Sequence, residues 1–258
     1  KYWFFMRIIS RLDIKNEFVI KGINFEGLRK IGDPSELSEK YYKDKADELI
    51  LYDAVASLYG RNNLFHIIKK ITKNIFIPVC LGGGIRTLND IKIALESGAD
   101  KVAINTAFVK NPKFLKQATE NFGVSNIIAS IEAKKVSENE WEVYIHNGRD
   151  KTGLMVNNWI QEIQDIGCGE ILLTSVDSDG TRSGFDLKLL NYINKNKISV
   201  PIIFSGGCGN FEHIKSIYKV FSDEAIAIAS ALHYNKLKIA DVKKQLNIWK
   251  KFQFSITD

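Results

Sequence analysis

The segment that decides the fold is IIASIEAKKV (residues 127–136), because it repeats a segment near the start of the chain. Residues 8–16 have the sequence IISRLDIKN, which shares the order of paired isoleucines, a further apolar residue, a carboxylate and a lysine. Asp13 of the first copy aligns with Glu132 of the second. A repeat of this kind indicates that one structural unit occurs twice in the chain.

Three further pairs of segments align in the same order along the chain. The pairs are DELILYD (47–53) with GEILLTS (169–175), IPVCLGGG (77–84) with VPIIFSGG (200–207), and KVAINTAF (101–108) with EAIAIASAL (224–232). One hydrophobic segment can resemble another by chance, but four in register predict a true two-fold repeat.

Eight short apolar runs alternate with longer amphipathic stretches. Their β-branched composition and their Gly, Asp, Asn or Ser ends are typical of buried parallel strands. The runs are residues 7–14, 48–55, 77–84, 101–108, 126–133, 170–177, 200–207 and 224–231. Eight strand–helix units in about 250 residues predict an α/β fold, the TIM (β/α)8 barrel. We expect one domain, residues 1–258, made of two repeated half-barrels at about 7–123 and 124–246.

Capping residues predict where two helices begin. Asp33 followed by Pro34 is a good N-cap followed by a proline in the first turn. Asn157 is predicted to cap the helix that precedes the sixth strand.

Composition excludes several classes of function. The chain of 258 residues is 45% hydrophobic and 26% charged, with a formal charge of +6. Its lysines are dispersed, which favours a solvated surface over a nucleic-acid patch and remains compatible with anionic small substrates. Three cysteines without a C-x-x-C spacing predict no disulfide framework and fit a reducing cytoplasm. Four scattered histidines predict no metal site, and no run reaches the ~20 apolar residues of a membrane span.

The two aligned acids are the first candidates for chemistry. Active sites of this barrel lie at the carboxyl ends of the strands, so the repeat places Asp13 and Glu132 on opposite walls of one mouth. Two facing carboxylates suit general acid and general base roles if their surroundings separate their pKa values. The structural alternative is a pair of loop or capping carboxylates.

The repeat also predicts two anion sites. Glycines let backbone N–H groups approach an anion, and Thr or Ser hydroxyls complete such a site. The residues of the first site are Gly83, Gly84, Asn105 and Thr106, and those of the second are Gly206, Gly207, Ala229 and Ser230. A single glycine pair would indicate only a turn, whereas two matched copies favour a substrate with a phosphate at each end.

Charged residues begin four of the strands at the opposite end of the barrel. These are Arg7, Glu48, Lys101 and Glu170. Two cations and two anions there predict a ring of salt bridges across the barrel floor, since buried charges need partners. The alternative is a purely stabilising role, because this face of the barrel does not usually carry the active site.

The chain resembles the cyclase subunit of imidazole glycerol phosphate synthase, the HisF family of histidine biosynthesis, from about Arg7 to Leu246. The motifs that carry the resemblance are LDIKNEFVIKGINFEGLRKIGDP (12–34), LGGGIRTLND (81–90), GADKVAINTA (98–107) and GEILLTSVDSDGTRSGFD (169–186). The resemblance implies a barrel of two half-barrels and no cofactor. It implies ammonia-dependent conversion of the bisphosphorylated ribonucleotide PRFAR to imidazole glycerol phosphate and the carboxamide nucleotide AICAR. It also implies a HisH-type glutaminase partner that docks on the barrel floor, forms a heterodimer and makes the ammonia.

The resemblance assigns roles to individual residues. Asp13 and Glu132 match the catalytic acids, and Lys21 matches the lysine of a mobile loop after strand one. The phosphate sites correspond to Gly84, Asn105 and Thr106, and to Asp179, Gly180, Gly207 and Ser230. The ammonia gate corresponds to Arg7, Glu48, Lys101 and Glu170, while Asp100 fits the glutaminase-facing surface.

Four residues in or near the reaction layer depart from the family pattern. Glu132 stands where the family has a shorter Asp, and Arg11 stands where it has a small residue. Tyr52 and Val55 change the strand-two motif, which reads YDAVAS here. Arg11 shares the inward face with Asp13 by strand alternation, so it needs an anionic partner, either Asp13 or Glu132. These departures leave three hypotheses: the histidine-pathway cyclase, a related barrel that uses ammonia to convert the acetamido group of a surface-sugar precursor to an amidine, and a catalytically weak scaffold.

Overall fold

The computed structural model describes residues 6–54, 56, 64–193, 197–221 and 224–254, with side chains described as far as residue 247. Val55, one of the residues that depart from the family pattern, lies outside the described residues. Eight parallel strands close into a barrel in the order β1, β4, β5, β6, β7, β10, β11, β12 and back to β1. All eight predicted strands are present, which confirms the TIM-barrel prediction. The strands are β1 (Arg7–Lys15), β2 (Phe18–Ile23), β3 (Glu26–Gly32), β4 (Glu48–Asp53), β5 (Val79–Gly82), β6 (Lys101–Ile104), β7 (Ile127–Ser137), β8 (Glu140–Ile145), β9 (Asp150–Met155), β10 (Glu170–Ser175), β11 (Ile202–Ser205) and β12 (Ala225–Ile228).

Helices surround the barrel and connect its strands. Among the described residues they are α1 (Pro34–Lys43), α2 (Phe65–Ile71), α3 (Leu88–Glu96), α4 (Thr106–Lys110), α5 (Pro112–Phe122), α6 (Val156–Ile166), α7 (Leu187–Tyr192), α8 (Phe211–Val220), α9 (Ser230–His233) and α10 (Ile239–Phe254). None of these described helices is both long enough and apolar enough to cross a bilayer.

One of the two predicted helix caps is confirmed. The Asp33 side chain accepts hydrogen bonds from the backbone N–H groups of Ser35 and Glu36, with Pro34 in the first turn. The prediction for Asn157 is wrong, because α6 begins one residue earlier and Asn157 lies inside its first turn. Its side chain instead donates to the Tyr192 carbonyl at 2.9 Å, so the amide ties α6 to α7.

Strand alternation divides the barrel into an outer and an inner core. Ile8 and Leu12 of β1 pack outward against the helices, whereas Ile9 points into the barrel. The inner core is an apolar layer of Ile9, Ile50, Tyr52, Cys80, Ala103, Ile128, Leu172, Ile203, Ala225 and Ala227. This layer separates the charged floor from the polar mouth, so the two ends of the barrel are chemically distinct.

Two β-hairpins at equivalent positions cover the mouth, and neither was predicted. Strands β2 and β3 fold back on β1, and β8 and β9 fold back on the extended β7. The sequence contained a signal for the second hairpin, since Asn147-Gly148 is a strong turn pair between alternating segments. The hairpins follow the first and fifth barrel strands, as duplication would produce. The half-barrel boundaries at about 7–123 and 124–246 stay a prediction.

Candidate active site

Asp13 lies at the carboxyl end of β1 and is enclosed by cations. Its Oδ1 accepts from Arg11 Nε at 2.8 Å and its Oδ2 from Lys21 Nζ at 2.8 Å. Burial alone would raise the pKa of Asp13, but the charges of Arg11 and Lys21 and their hydrogen bonds outweigh burial and hold the pKa well below its usual range. Asp13 is therefore an anion throughout the neutral range.

Glu132 lies at the equivalent position on β7 and has different surroundings. Its Oε2 accepts from the Gly148 backbone N–H at 2.7 Å, at the turn of the β8–β9 hairpin. Glu132 is only 3% exposed. This burial raises the pKa of its carboxyl to about 7, although the hydrogen bond from Gly148 and the charge of Arg11 act in the opposite direction. Glu132 can therefore be either protonated or ionised near neutral pH.

The strand register brings the equivalent neighbours of the two acids into the same layer. Asp13 is paired with Tyr52 of β4, and Glu132 is paired with Thr174 of β10. Burial, followed by the charge of Glu132, raises the pKa of the Tyr52 phenol, so that phenol stays protonated at neutral pH. The predicted separation of environments is thus present: one carboxyl is fixed as an anion and the other is poised to titrate.

Arg11 points into the barrel, as strand alternation predicted, and is 2% exposed. Of the two acids named as partners, it binds Asp13, and Glu132 forms no salt bridge among the described residues. Its Nη1 donates to Thr174 Oγ1 at 3.0 Å, and its Cζ lies 4.9 Å from the centre of the Tyr52 ring. The guanidinium therefore spans the barrel from β1 to β10, above the apolar layer.

The first predicted anion site opens into a cavity of about 320 Å³ at the mouth. Gly83, Gly84, Asn105 and Thr106 all line this cavity, and so do Tyr52 and Glu132. Sequence reasoning missed two cationic side chains on its wall, Arg86 and Lys110, and the imidazole of His146. The cavity joins the titratable acid to a site suited to a phosphate, which is the arrangement that a phosphorylated substrate needs.

The second predicted anion site is narrow, with a free volume of about 10 Å³. The residues around it are Lys21, Asp179, Gly180, Gly206, Gly207, Ala229 and Ser230. Lys21 Nζ binds Asp179 Oδ2 at 2.7 Å, and the Asn24 N–H donates to the Asp179 carbonyl at 2.8 Å. This volume holds about one water molecule. The β2–β3 hairpin therefore packs closely over this site.

Two glycines at equivalent positions explain why the anion sites need this residue type. Gly83 has φ +86°, and a Cβ there would lie 2.3 Å from the Asp53 carbonyl oxygen. Gly206 has φ +106°, and a Cβ would lie 2.7 Å from the Ser175 carbonyl oxygen. Both positions combine a left-handed backbone with a close approach to the end of the preceding strand, which only glycine accommodates without strain.

The predicted salt-bridge ring is present at the floor. Lys101 Nζ binds Glu48 at 3.1 Å and Glu170 at 2.8 Å. Arg7 binds the same two acids, and its Nη1 lies 3.1 Å from Glu48 Oε2. Burial raises the pKa of Glu48, although the charge of Lys101 opposes that shift. The four side chains join the starts of β1, β4, β6 and β10 through these salt bridges, and their role as an ammonia gate stays a proposal.

Asp100 has a structural task that its sequence did not reveal. Its Oδ2 accepts from the Val79 N–H at 2.8 Å, at the start of β5. Asp47 accepts in the same way from Ile8, and Glu224 from Ile202. These acids accept from N–H groups in the first two residues of barrel strands at the floor. The predicted partner contact of Asp100 stays a prediction. Phe76, next to this region and 80% exposed, is the more conspicuous apolar surface residue.

Metal ligands are not clustered in the part of the chain that the structure describes. No group of three or more His, Cys, Asp and Glu side chains there is arranged to hold an ion. Cys80, Cys168 and Cys208 are buried free thiols.

Comparisons with known proteins agree over almost the whole chain. Residues 7–238 match the model of a family described as histidine biosynthesis protein. A protein of Bacillus cereus strain Q1, named imidazole glycerol phosphate synthase subunit HisF, is 43% identical over 240 residues, which are 93% of this chain and 95% of that protein. Proteins of the same name from strains AH187 and G9842 are 43% and 42% identical over the same length.

Proposed function

This chain belongs to the histidine biosynthesis protein family, among the imidazole glycerol phosphate synthase subunits named HisF, and from that membership we propose that it is an ammonia-using cyclase. The substrate is the bisphosphorylated ribonucleotide PRFAR, and the products are imidazole glycerol phosphate and AICAR. The observation that carries the proposal is the mouth itself, where Asp13, which two cations bind, and Glu132, whose pKa burial raises to about 7, lie beside two glycine-lined pockets.

The two acids have different tasks in this reaction. Ammonia must lose protons as its nitrogen enters the imidazole ring, and the departing carboxamide nucleotide must gain one. Glu132, with a pKa of about 7, can take a proton from the incoming nitrogen and return one to the leaving group. Asp13 stabilises positive charge that develops on the reacting nitrogen, because it stays ionised.

The two anion sites hold the two phosphates of the substrate. The first site, with Gly83, Gly84, Asn105 and Thr106, is open and lies in the same cavity as Glu132. The second, with Gly180, Gly206, Gly207, Ala229 and Ser230, is covered by Lys21 and becomes available when its hairpin opens. Substrate binding and hairpin movement are therefore coupled in this proposal, and no metal or other cofactor takes part.

The partner in this proposal is a glutaminase subunit of the HisH type, which forms a heterodimer with this chain. It supplies the ammonia at the floor of the barrel. Ammonia enters through the ring of Arg7, Glu48, Lys101 and Glu170, and Asp100 lies on the docking face. Three free thiols fit a reducing compartment, so we place the reaction in the cytoplasm. Neither a membrane nor a nucleic acid is part of the proposal.

Opening the floor ring tests the gate. Lys101→Ala leaves Glu48 and Glu170 with Arg7 as their common partner, so the ring no longer closes and delivery from the floor becomes inefficient. We expect the ratio of glutamine-driven to ammonium-driven turnover in the complex to fall about tenfold. The matched control is Lys92→Ala, which removes an exposed lysine from a surface pair with Glu96. An unchanged ratio in the folded Lys101 variant would remove the gate from the proposal.

Phe76→Asp tests the docking face. A large, mostly exposed aromatic side chain beside the floor is a typical interface anchor, and an aspartate there must be desolvated on binding. We expect the Kd for the glutaminase to rise at least about tenfold while ammonium-driven turnover stays unchanged. Val136→Asp, which places the same charge beside the mouth, is the control. Equal weakening by both variants would argue against docking at the floor.

The alternative function is amidation of a surface-sugar precursor, from acetamido to acetamidino, by a related barrel. The observation that favours it is the changed reaction layer, where Arg11 spans the barrel and stacks on Tyr52 beside the longer Glu132. Both reactions add ammonia to carbon, so the same acid and the same floor serve either one. Neighbouring sugar-biosynthesis genes in place of histidine genes would support this alternative.

Growth of a histidine-requiring bacterium that lacks its own cyclase subunit separates the two functions. The chain is expressed in that strain on ammonium-rich medium, so a foreign glutaminase need not dock. We expect growth without histidine. A folded, expressed chain that fails to support growth would favour the sugar-precursor alternative.

A further inference from the structure

Arg11 is held in one position by contacts from four parts of the fold. Its Nε binds Asp13 on its own strand, and its Nη1 binds Thr174 on β10. The Tyr52 ring of β4 lies 4.9 Å from its Cζ, and the Phe25 ring of the β2–β3 turn lies 5.8 Å away. A buried guanidinium with this many contacts does not reorient freely, so its effect on neighbouring groups is a fixed property of the site.

Arg11 and Lys21 together occupy both oxygens of Asp13. Oδ1 accepts from Arg11 and Oδ2 from Lys21, each at 2.8 Å, and all three residues are at most 6% exposed. Each carboxylate oxygen keeps a second lone pair, but a buried cation bonded to each oxygen favours the anion and disfavours proton uptake from a substrate. Lys21 belongs to the β2–β3 hairpin, whereas Arg11 belongs to the barrel wall.

Glu132 has the opposite arrangement. One oxygen accepts from the Gly148 N–H, no described cation binds either oxygen directly, and the residue lines the open cavity at the mouth. The two equivalent acids therefore differ in access as well as in charge environment.

We propose that Arg11 is a positioning residue, which holds Asp13 as a fixed counter-anion even when the Lys21 hairpin opens and so leaves proton transfer to Glu132. The pair of acids acts as one proton-exchanging group and one permanent charge, although the chain duplication made their positions equivalent. The consequence for catalysis rests on the proposed function, but the assignment of charge and proton does not.

Other charged groups surround the pair. Asp179 binds Lys21 from the loop after β10, and its charge, with that of Asp13, outweighs burial and raises the pKa of Arg11. His233 of α9 has a pKa lowered to about 4 by burial and by Lys21, so it is neutral in the pH range of interest. The groups around Asp13 are Arg11, Lys21, Tyr52, Asp179 and His233. The groups around Glu132 are Arg11, Asp13, Tyr52 and Asn105.

Carbon-detected NMR titration of the folded chain tests the inference without a substrate. The protein carries ¹³C-labelled Asp and Glu carboxyls, and spectra of Asp13→Asn and Glu132→Gln assign the two signals. In the wild type we expect the Glu132 signal to titrate near 7, and the Asp13 signal to remain that of an anion below the usual aspartate pKa of about 3.9. In Arg11→Met the Asp13 titration should move upward by about one to three pH units. The Glu132 titration should move in the same direction, because Arg11 also favours its anion.

Arg11→Lys is the conservative control, since it keeps the charge and should restore most of the Asp13 shift. Thr174→Val serves if Arg11→Met does not fold, because it frees one end of the guanidinium without removing charge, and a smaller upward shift of Asp13 is expected. An unmoved Asp13 signal in the folded variant tested would overturn the inference. Normal titration shifts in a chain that turns over neither candidate substrate would count against the proposed function and leave this inference standing.

Discussion

Glu132→Gln is expected to lower ammonium-driven turnover by roughly 10²–10⁴-fold, the usual contribution of a general acid–base residue. Glutamine keeps the size of the side chain and an oxygen for the Gly148 N–H, so the hairpin turn and the cavity wall stay in place. It cannot exchange a proton, which is the property that the buried carboxyl with a pKa of about 7 provides. Steady-state rates with PRFAR and ammonium chloride measure the loss.

The pH dependence of the wild type should carry the same signature. A limb near 7 in the rate profile reports the titration of Glu132 in the free enzyme, and this limb should be missing from the residual activity of the variant. Glu140→Gln is the matched control, because Glu140 is an exposed acid on β8 that binds only Ser137 in the described contacts. A Glu132→Gln rate within about threefold of wild type would reassign the acid–base role, since such a step contributes at least about 10²-fold.

Asp13→Asn is expected to lower the free energy of unfolding by about 3–5 kcal/mol and to abolish measurable turnover. The wild-type cluster balances Arg11 and Lys21 against Asp13 and Asp179. The substitution removes one anion from four buried charges and leaves Arg11 without its carboxylate partner. Urea unfolding near neutral pH measures the difference in stability, with Asp165→Asn as a surface control.

Lowering the pH should narrow this difference in stability. The folded-state pKa of Asp13 lies below its unfolded value, so its stabilisation is complete above an unfolded pKa of about 3.9 and is lost as pH falls towards the folded value. On acidification the free energy of unfolding of the wild type therefore falls as Asp13 is protonated, whereas the Asn variant has no such contribution to lose. Equal stability of the two proteins near neutral pH would show that the charge cluster is not a net stabilising element.

The repeat in the sequence was sufficient for the fold and for much of the site. Hydrophobic alternation placed Arg11 and Asp13 on the inward face, and the matched offsets placed Glu132 opposite. The same offsets pair Tyr52 with Thr174, so the repeat contained the second partner of Arg11, although Thr174 was overlooked. These features depend on strand period and register, which a sequence specifies directly.

Strand period and register do not determine which acid Arg11 binds. Asp13 and Glu132 were equal candidates by position, and the outcome depends on side-chain length and on the second cation, Lys21. Lys21 lies on a hairpin whose fold over the mouth follows from tertiary contacts such as the Asn24 N–H to the Asp179 carbonyl. Burial, which sets the pKa of Glu132, is likewise a property of the assembled mouth.

Turnover of PRFAR by the purified chain with ammonium at mildly alkaline pH tests the central claim most directly. Mass spectrometry follows both products, and the Glu132→Gln variant is run beside the wild type. The account predicts imidazole glycerol phosphate and AICAR in equal amounts from the wild type, at a rate that rises with free ammonia, and neither product at comparable rate from the variant. A correctly folded wild-type chain that leaves PRFAR unchanged at saturating ammonia would contradict it.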